Sequence, residues 1–197
     1  MSPRADTAAI ILAAGAATRM GRNKMLLQLD GVPLVRRAAD CAIAAGLSPV
    51  IVVVGHEADL VRVALDSLPC AFAVNTEFTG PTSGSLHAGL NALPAAVGAA
   101  VVMLADMPWV TPEMLRQLTN AFSRNVAPLA VSRYGEVLAP PLLFRRELFT
   151  ELLAWHGEGC GKQVVMRHRD EAVFLDWPTA ALADLDTPAD AQRAGFV

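Results

Sequence analysis

Cysteine is scarce in this chain. Cys41, Cys70 and Cys160 are odd in number, widely spaced and free of any C-x-x-C pair. They compose neither a disulfide framework nor a zinc site, and they suit a reducing cytoplasm, each as a small core residue. A basic excess is missing as well. Sixteen Lys and Arg against nineteen Asp and Glu leave a formal charge of −3, so nothing here would grip a nucleic-acid backbone. Although 53% of the residues are hydrophobic, no long uninterrupted apolar run exists. Residues 92–105 contain Pro94 and Gly98 and fall short of a spanning helix. The N-terminus has the outline of a secretion signal, with Arg4 ahead of an apolar centre and Ala14-Gly15-Ala16 as a mock cleavage site. Asp6 and the shortness of that centre argue against one. The expectation is a cytoplasmic protein with no membrane and no nucleic-acid partner. Trp109, Trp155 and Trp177 are scattered, which suits packing better than a base-stacking platform.

What is present is a regular alternation. The runs at residues 8–11, 50–54 and 99–104 are apolar, rich in β-branched residues and free of charge, as strands buried on both faces are. Further strands are expected at 72–75, near 129–131 and 142–144, and at 172–175. A helix opened by Val32-Pro33 should end at Gly46, after a turn at Asp30-Gly31. Others are expected over 57–68, about 85–93, from the Thr111 cap and Pro112 to about Phe122, within 147–155 and 161–168, and from Thr187-Pro188. Strands alternating with helices predict an α/β chain with a mainly parallel sheet. With no repeat, low-complexity tract or linker, residues 1–197 are expected to form one domain.

In open sheets of this kind, ligands bind beyond the carboxyl ends of the strands. The first strand runs into Leu12-Ala13-Ala14-Gly15-Ala16-Ala17-Thr18-Arg19-Met20-Gly21-Arg22-Asn23-Lys24. Its small residues let backbone N–H groups approach an anion, and Arg19 and Lys24 add full positive charge. This polyphosphate cradle is neither of the common kinds. A Walker A loop counted from Gly15 meets Met20 where its second Gly belongs, and Gly21 is followed by Arg22-Asn23. A dinucleotide fingerprint meets Ala17 and Met20 in place of glycines. A triphosphate requires Mg2+, and Asp106, just past the strand at 99–104, offers the oxygen ligand that ion prefers. Asn75 ends another strand. The following residues, including Gly80, Ser83 and Ser85, leave room for a base edge, although Gly80-Pro81 also reads as a turn and Ser83 as a helix cap.

The stretch from Leu12 to Lys24 resembles L-A-A-G-x-S-x-R-M-G-x-x-K, the signature of the MobA-like nucleotidyltransferases, with Thr18 one place after the usual hydroxyl residue. Asp106-Met107-Pro108 resembles the family's D-x-P, which carries the metal aspartate. Residues 75–90 resemble its N…G-x-x-x-S-[LI]-x-x-G-L, and Asp184-Leu185-Asp186-Thr187-Pro188-Ala189-Asp190 its D-[IL]-D-T-P-x-D. That last run also reads as a helix start with Thr187 as cap.

The resemblance implies a three-layer α/β/α, Rossmann-like scaffold of the GT-A type. It implies Lys24, Arg19 and Asp106 as catalytic residues, and Mg2+ on Asp106 with Asp186, or Asp184, as second ligand. Nucleotide contacts are implied for Leu12, Ala13, Ala14, Gly15, Gly21, Lys24, Asn75, Gly80, Ser83 and Ser85. The implied reaction moves CMP from CTP to the terminal phosphate of molybdopterin, releasing pyrophosphate, with a molybdoenzyme or its maturation chaperone downstream. Such a phosphate nucleophile is already ionised, so His56 and His156 are not needed as bases, and His87 is expected to be structural. Ala13-Ala14-Gly15 is similar to the cytidylyl branch, where the guanylyl branch carries two glycines, which favours CTP over GTP. Against this, Met107 is commoner in the guanylyl branch. Ala139-Pro140-Pro141 stands where cytidylyl members read G-H-P, and Gly157-Glu158-Gly159-Cys160-Gly161-Lys162 where they read G-D-x-G-A-R. The acceptor side therefore departs from the pattern more than the nucleotide side. Transfer from GTP, transfer to a sugar or alcohol phosphate, and a non-catalytic nucleotide- or cofactor-binding chaperone stand as alternatives.

Overall fold

The computed structural model describes residues 7–15, 23–124, 126–159, 161–182 and 195. Strand β1 (Thr7–Leu12) lies centrally, followed by the short β2 (Gln28–Leu29) and β3 (Val32–Pro33). Next come α1 (Leu34–Ala44), β4 (Val50–Val54), α2 (Ala58–Ala64), β5 (Cys70–Val74), α3 (Thr82–Asn91) and β6 (Ala99–Leu104). The second half comprises α4 (Pro112–Ser123), β7 (Leu129–Tyr134), β8 (Val137–Arg145), α5 (Phe149–Ala154), α6 (Lys162–Arg167) and β9 (Val173–Trp177). The main sheet has seven strands in the order β5-β4-β1-β6-β8-β7-β9. Only β8 runs against its neighbours. The mainly parallel α/β/α sandwich is thus present, and no helix among the described residues is long and apolar enough to cross a membrane.

The two-residue period of the strands sorts their side chains between the helical layers. Ala9, Ile11, Val50, Val52, Val101 and Met103 pack on one side with Val35 and Ala39 of α1 and Leu115 and Leu118 of α4. Ile10, Ile51, Val53 and Val102 pack on the other side with Leu86 and Leu90 of α3, Leu152 of α5 and Val164 of α6. Both faces being covered, the strands read as unbroken apolar runs. Helix α3 crosses β1 so closely that a Cβ at Gly89 would stand 2.4 Å from Ile10 Cγ2. Cys41 is a core residue, its thiol pushed up to about 12 by burial.

Several boundaries differ from the sequence-based expectation. Val32-Pro33 does not open a helix: Asp30 and Gly31 both have positive φ, as a tight hairpin turn demands, and Val32 pairs back onto Leu29. The helix starts at Leu34. Helix α3 begins at Thr82 with Pro81 at the cap position, so Ser83 lies in the first turn and does not cap it. Helix α4 starts as expected, Thr111 Oγ1 accepting from Met114 N at 3.2 Å ahead of Pro112. Strand β8 runs for nine residues straight through Pro140-Pro141, whose peptide bond is cis. The helix expected from Thr187-Pro188 and the run from Asp184 to Asp190 lie outside the described residues.

Candidate active site

The carboxyl ends of β1, β4, β5 and β6 meet at one edge of the sheet. Ala13 N donates to Val53 O at 2.9 Å and Ala105 N to Leu12 O at 3.1 Å, so the start of the cradle is fixed from both sides. Ala14 O accepts from His56 N at 3.2 Å. Leu12, Ala13 and Ala14 are buried, while Gly15 emerges into solvent. Arg19 and Gly21 lie outside the described residues.

The chain returns at Asn23, and here a short 3-10 turn, Lys24–Leu26, presents the lysine. Asn23 Oδ1 accepts from Met25 N at 3.0 Å, and its Nδ2 donates to His56 O at 3.4 Å. The buried asparagine thereby caps the turn and ties it to the end of β4. Lys24, only 5% exposed, points at the end of β6 and donates from Nζ to Asp106 Oδ2 at 2.9 Å. The other oxygen, Asp106 Oδ1, is buried and has no hydrogen-bond partner among the described residues. A buried carboxylate oxygen with no protein partner can coordinate a cation. Asp106 therefore fits the divalent ion that a triphosphate carries. No cluster of three or more His, Cys, Asp or Glu among the described residues could hold a metal alone. Such sparse protein ligation is usual for Mg2+, which keeps waters and phosphate oxygens. Asp186 lies outside the described residues.

At the end of β5, Asn75 is buried and its amide is fully oriented. Oδ1 accepts from Glu77 N at 3.0 Å, and Nδ2 donates to Ser85 Oγ at 2.9 Å. Ser83 faces a different partner. Its N donates to Gly157 O, and its Oγ accepts from Gly157 N, both at 3.0 Å. Glu158 accepts from the N–H and the hydroxyl of Thr82. The loop after α5 is thus fastened to the first turn of α3, a function invisible in the linear motif. Gly80 is exposed and closes its turn by donating to Glu77 O at 2.9 Å. The structure therefore joins Lys24 to Asp106 and Asn75 to Ser85, while Ser83 belongs to the loop contact. His56 lies against Phe78, ring centroids 5.8 Å apart, and His87 donates from Nε2 to Leu152 O at 3.0 Å.

Beside this edge lies an apolar cavity of about 170 Å3, walled by Leu104, Leu138, Pro140, Leu142 and Val165 with Lys162 at its side. The wall on β8 lies at a register shift in the ladder. Val131 pairs with Leu142 and Arg133 with Leu138, so residues 139–141 stand opposite Ser132 alone. Proline nitrogens cannot donate to the ladder, and the carbonyls here are taken by side chains: Ser132 Oγ donates to Pro141 O at 2.7 Å and Tyr134 Oη to Pro140 O at 2.9 Å.

A mainly parallel sheet with a lysine and an aspartate paired at its carboxyl edge defines a nucleotide-handling α/β protein. The chain matches the MobA-like NTP transferase domain over residues 9–172, and it belongs to that family of nucleotidyltransferases. It is 38% identical over 156 residues to the bifunctional protein GlmU of Corynebacterium aurimucosum, covering 70% of this chain and 31% of that one. The chain thus spans about a third of the length of such curated relatives. It is 30% identical to a probable molybdenum cofactor guanylyltransferase of Natronomonas pharaonis, covering 94% of this chain and 95% of that one. Among solved structures, Rv0371c of Mycobacterium tuberculosis H37Rv superposes with a TM-score of 0.84 at 26% identity, covering 98% of both chains. That protein has also been solved in complex with manganese.

Proposed function

We propose that this protein transfers CMP from CTP to the terminal phosphate of a molybdopterin-type acceptor and releases pyrophosphate. The observation that carries the nucleotidyl-transfer reading is the Lys24–Asp106 pair, 2.9 Å apart at the carboxyl edge, with Asp106 Oδ1 lacking a hydrogen-bond partner among the described residues. Bound at Asp106, Mg2+ would supply charge neutralisation for the triphosphate. Lys24 contacts the α-phosphate and offsets its growing charge, and Arg19 with the backbone N–H groups of residues 14–21 holds the β- and γ-phosphates. An acceptor phosphate oxygen then forms the new bond to the α-phosphorus as the bond to the bridging oxygen breaks. The electron pair leaves with pyrophosphate, and no side chain has to take a proton. Positioning and charge, the two things this site is built to supply, do most of such a reaction's work.

Base choice rests on Ala14, buried against Gly55, where a second glycine would give a purine more room. A guanylyl reading is favoured by Met107 and by the full-length relative named as a guanylyltransferase. Pyrophosphate release with Mg2+ and molybdenum cofactor decides between them. CTP should be consumed faster than GTP, and Asp106→Ala should be folded and inactive. Equal or reversed rates remove the cytidylyl assignment. Binding of CTP with no pyrophosphate from any phosphate acceptor identifies a chaperone instead, and release only with a sugar or alcohol phosphate relocates the acceptor.

A further inference from the structure

We infer that Lys24 keeps the cation site of Asp106 closed until a nucleotide arrives, so that the metal enters with its triphosphate and not before it. The inference rests on the proposed reading of Asp106 as the metal aspartate and adds a second role for the lysine. The ammonium is almost wholly buried and lies 2.9 Å from Oδ2. The opposite oxygen is buried without a partner among the described residues. One carboxylate thus carries a built-in monovalent cation on one oxygen and, among the described residues, no protein partner on the other. A divalent ion on Oδ1 would stand a few ångströms from the ammonium, and at that range in a poorly solvated site the repulsion offsets much of what the carboxylate offers.

Asn23 fixes the backbone from which the lysine reaches Asp106. Its two hydrogen bonds fix the turn that carries Lys24 to Met25 and to the end of β4. A triphosphate changes the balance, because its α-phosphate gives the ammonium a new anionic partner and its outer phosphates supply the charge that a second cation needs. The same lysine that later stabilises the reacting phosphorus therefore first makes metal binding conditional on substrate.

The test is Mn2+ binding, followed by the electron paramagnetic resonance signal of the free aquo ion, without turnover. Without nucleotide, wild type and Asp106→Ala should bind Mn2+ equally weakly. Lys24→Met and Lys24→Gln, the second retaining a neutral hydrogen bond to Asp106, should bind at least about tenfold more tightly than wild type. Thermal melts identify the folded variants, and the comparison of wild type with Asp106→Ala stands without either lysine variant. Nucleotide-free wild type that binds more tightly than Asp106→Ala, or folded lysine variants that gain nothing, overturn the inference. A non-hydrolysable CTP analogue separates the two levels of the reading. With it, wild type must exceed Asp106→Ala in Mn2+ affinity. If it does not, Asp106 is no metal ligand and the proposed function falls with the gate; if it does while the lysine variants gain nothing, only the gate falls.

Discussion

The phenol of Tyr134 donates to the carbonyl of Pro140 at 2.9 Å, from a side chain that is 1% exposed. It is the partner that a strand running through two prolines would otherwise lack. Burial pushes the Tyr134 hydroxyl up to about 12, so it remains a donor at every working pH. Tyr134→Phe leaves Pro140 O buried and unpaired, and chemical denaturation should show a loss of about 1–3 kcal/mol. Because Pro140 walls the cavity beside Leu104, the variant should raise the KM for the acceptor more than the KM for the nucleotide. An equal rise in both would mean that this stretch of β8 supports the fold without shaping that cavity.

Asn23 acts on catalysis only through its neighbour. Lys24→Ala should remove about 3 kcal/mol of transition-state stabilisation, the usual loss for one preorganised donor. Asn23→Ala leaves the ammonium in place but frees its turn from Met25 and His56. A fall of about 10- to 100-fold in kcat/KM is expected, since small misplacements of a charged group cost that much. Asn23→Asp, which keeps the acceptor for Met25 N, should recover part of the rate, and no recovery would show that the bond to His56 carries the effect.

What was legible in the sequence follows from what each signal depends on. Strands β1, β4 and β6 are buried on both faces, so their apolar runs announced both the sheet and the strand ends where Asp106 and Ala13 sit. Thr111-Pro112 marked a helix start because the cap is local. Val32-Pro33 misled because proline suits a helix's first turn, while the pairing with Leu29 depends on the positive φ of Asp30. Strand β8 is expected only over 142–144 because Pro140-Pro141 removes two donors, and Ser132 and Tyr134, distant from any motif, complete the rest of it. Asn23 escaped notice because the phosphate-loop signature leaves its position free, and its role is visible only where His56 lies beside it. Ser83 and Glu158 likewise gain their meaning from a loop seventy-odd residues away.

Gly89 is a packing residue. A methyl there would meet Ile10 Cγ2 at 2.4 Å and Val53 Cγ2 at 3.1 Å, both on fully buried β-branched side chains that have little freedom to turn. Gly89→Ala would gain about 1 kcal/mol of helix propensity. Overpacking outweighs it, so the variant should be less stable by about 1–3 kcal/mol in urea. In a double-mutant cycle with Ile10→Ala, the two losses should sum to more than the loss of the double variant. Simple additivity would show that α3 shifts away from β1 at little cost.

His168 links α6 to α5 and makes stability depend on pH. Its Nε2 lies 2.8 Å from Glu151 Oε2 and its Nδ1 lies 3.1 Å from Glu171 Oε1. Hydrogen bonding to Glu151, then to Glu171, raises its pKa above the ordinary 6.5. A raised folded-state value means the charged imidazolium is favoured in the native protein, so its contribution is complete below pH 6.5 and is lost as pH rises through the higher folded value. The lower edge of the window is set by Glu151, which burial pushes up but His168 and Arg167 hold, on balance, below its ordinary 4.5. Its contribution is present above 4.5 and fades as pH falls through the lowered value. Thermal melts of wild type and His168→Gln should therefore differ most between about pH 5 and 6.5, and the difference should shrink towards alkaline pH. A gap in Tm that stays constant through that rise would show that His168 contributes by packing and neutral hydrogen bonds, with its charge playing no part.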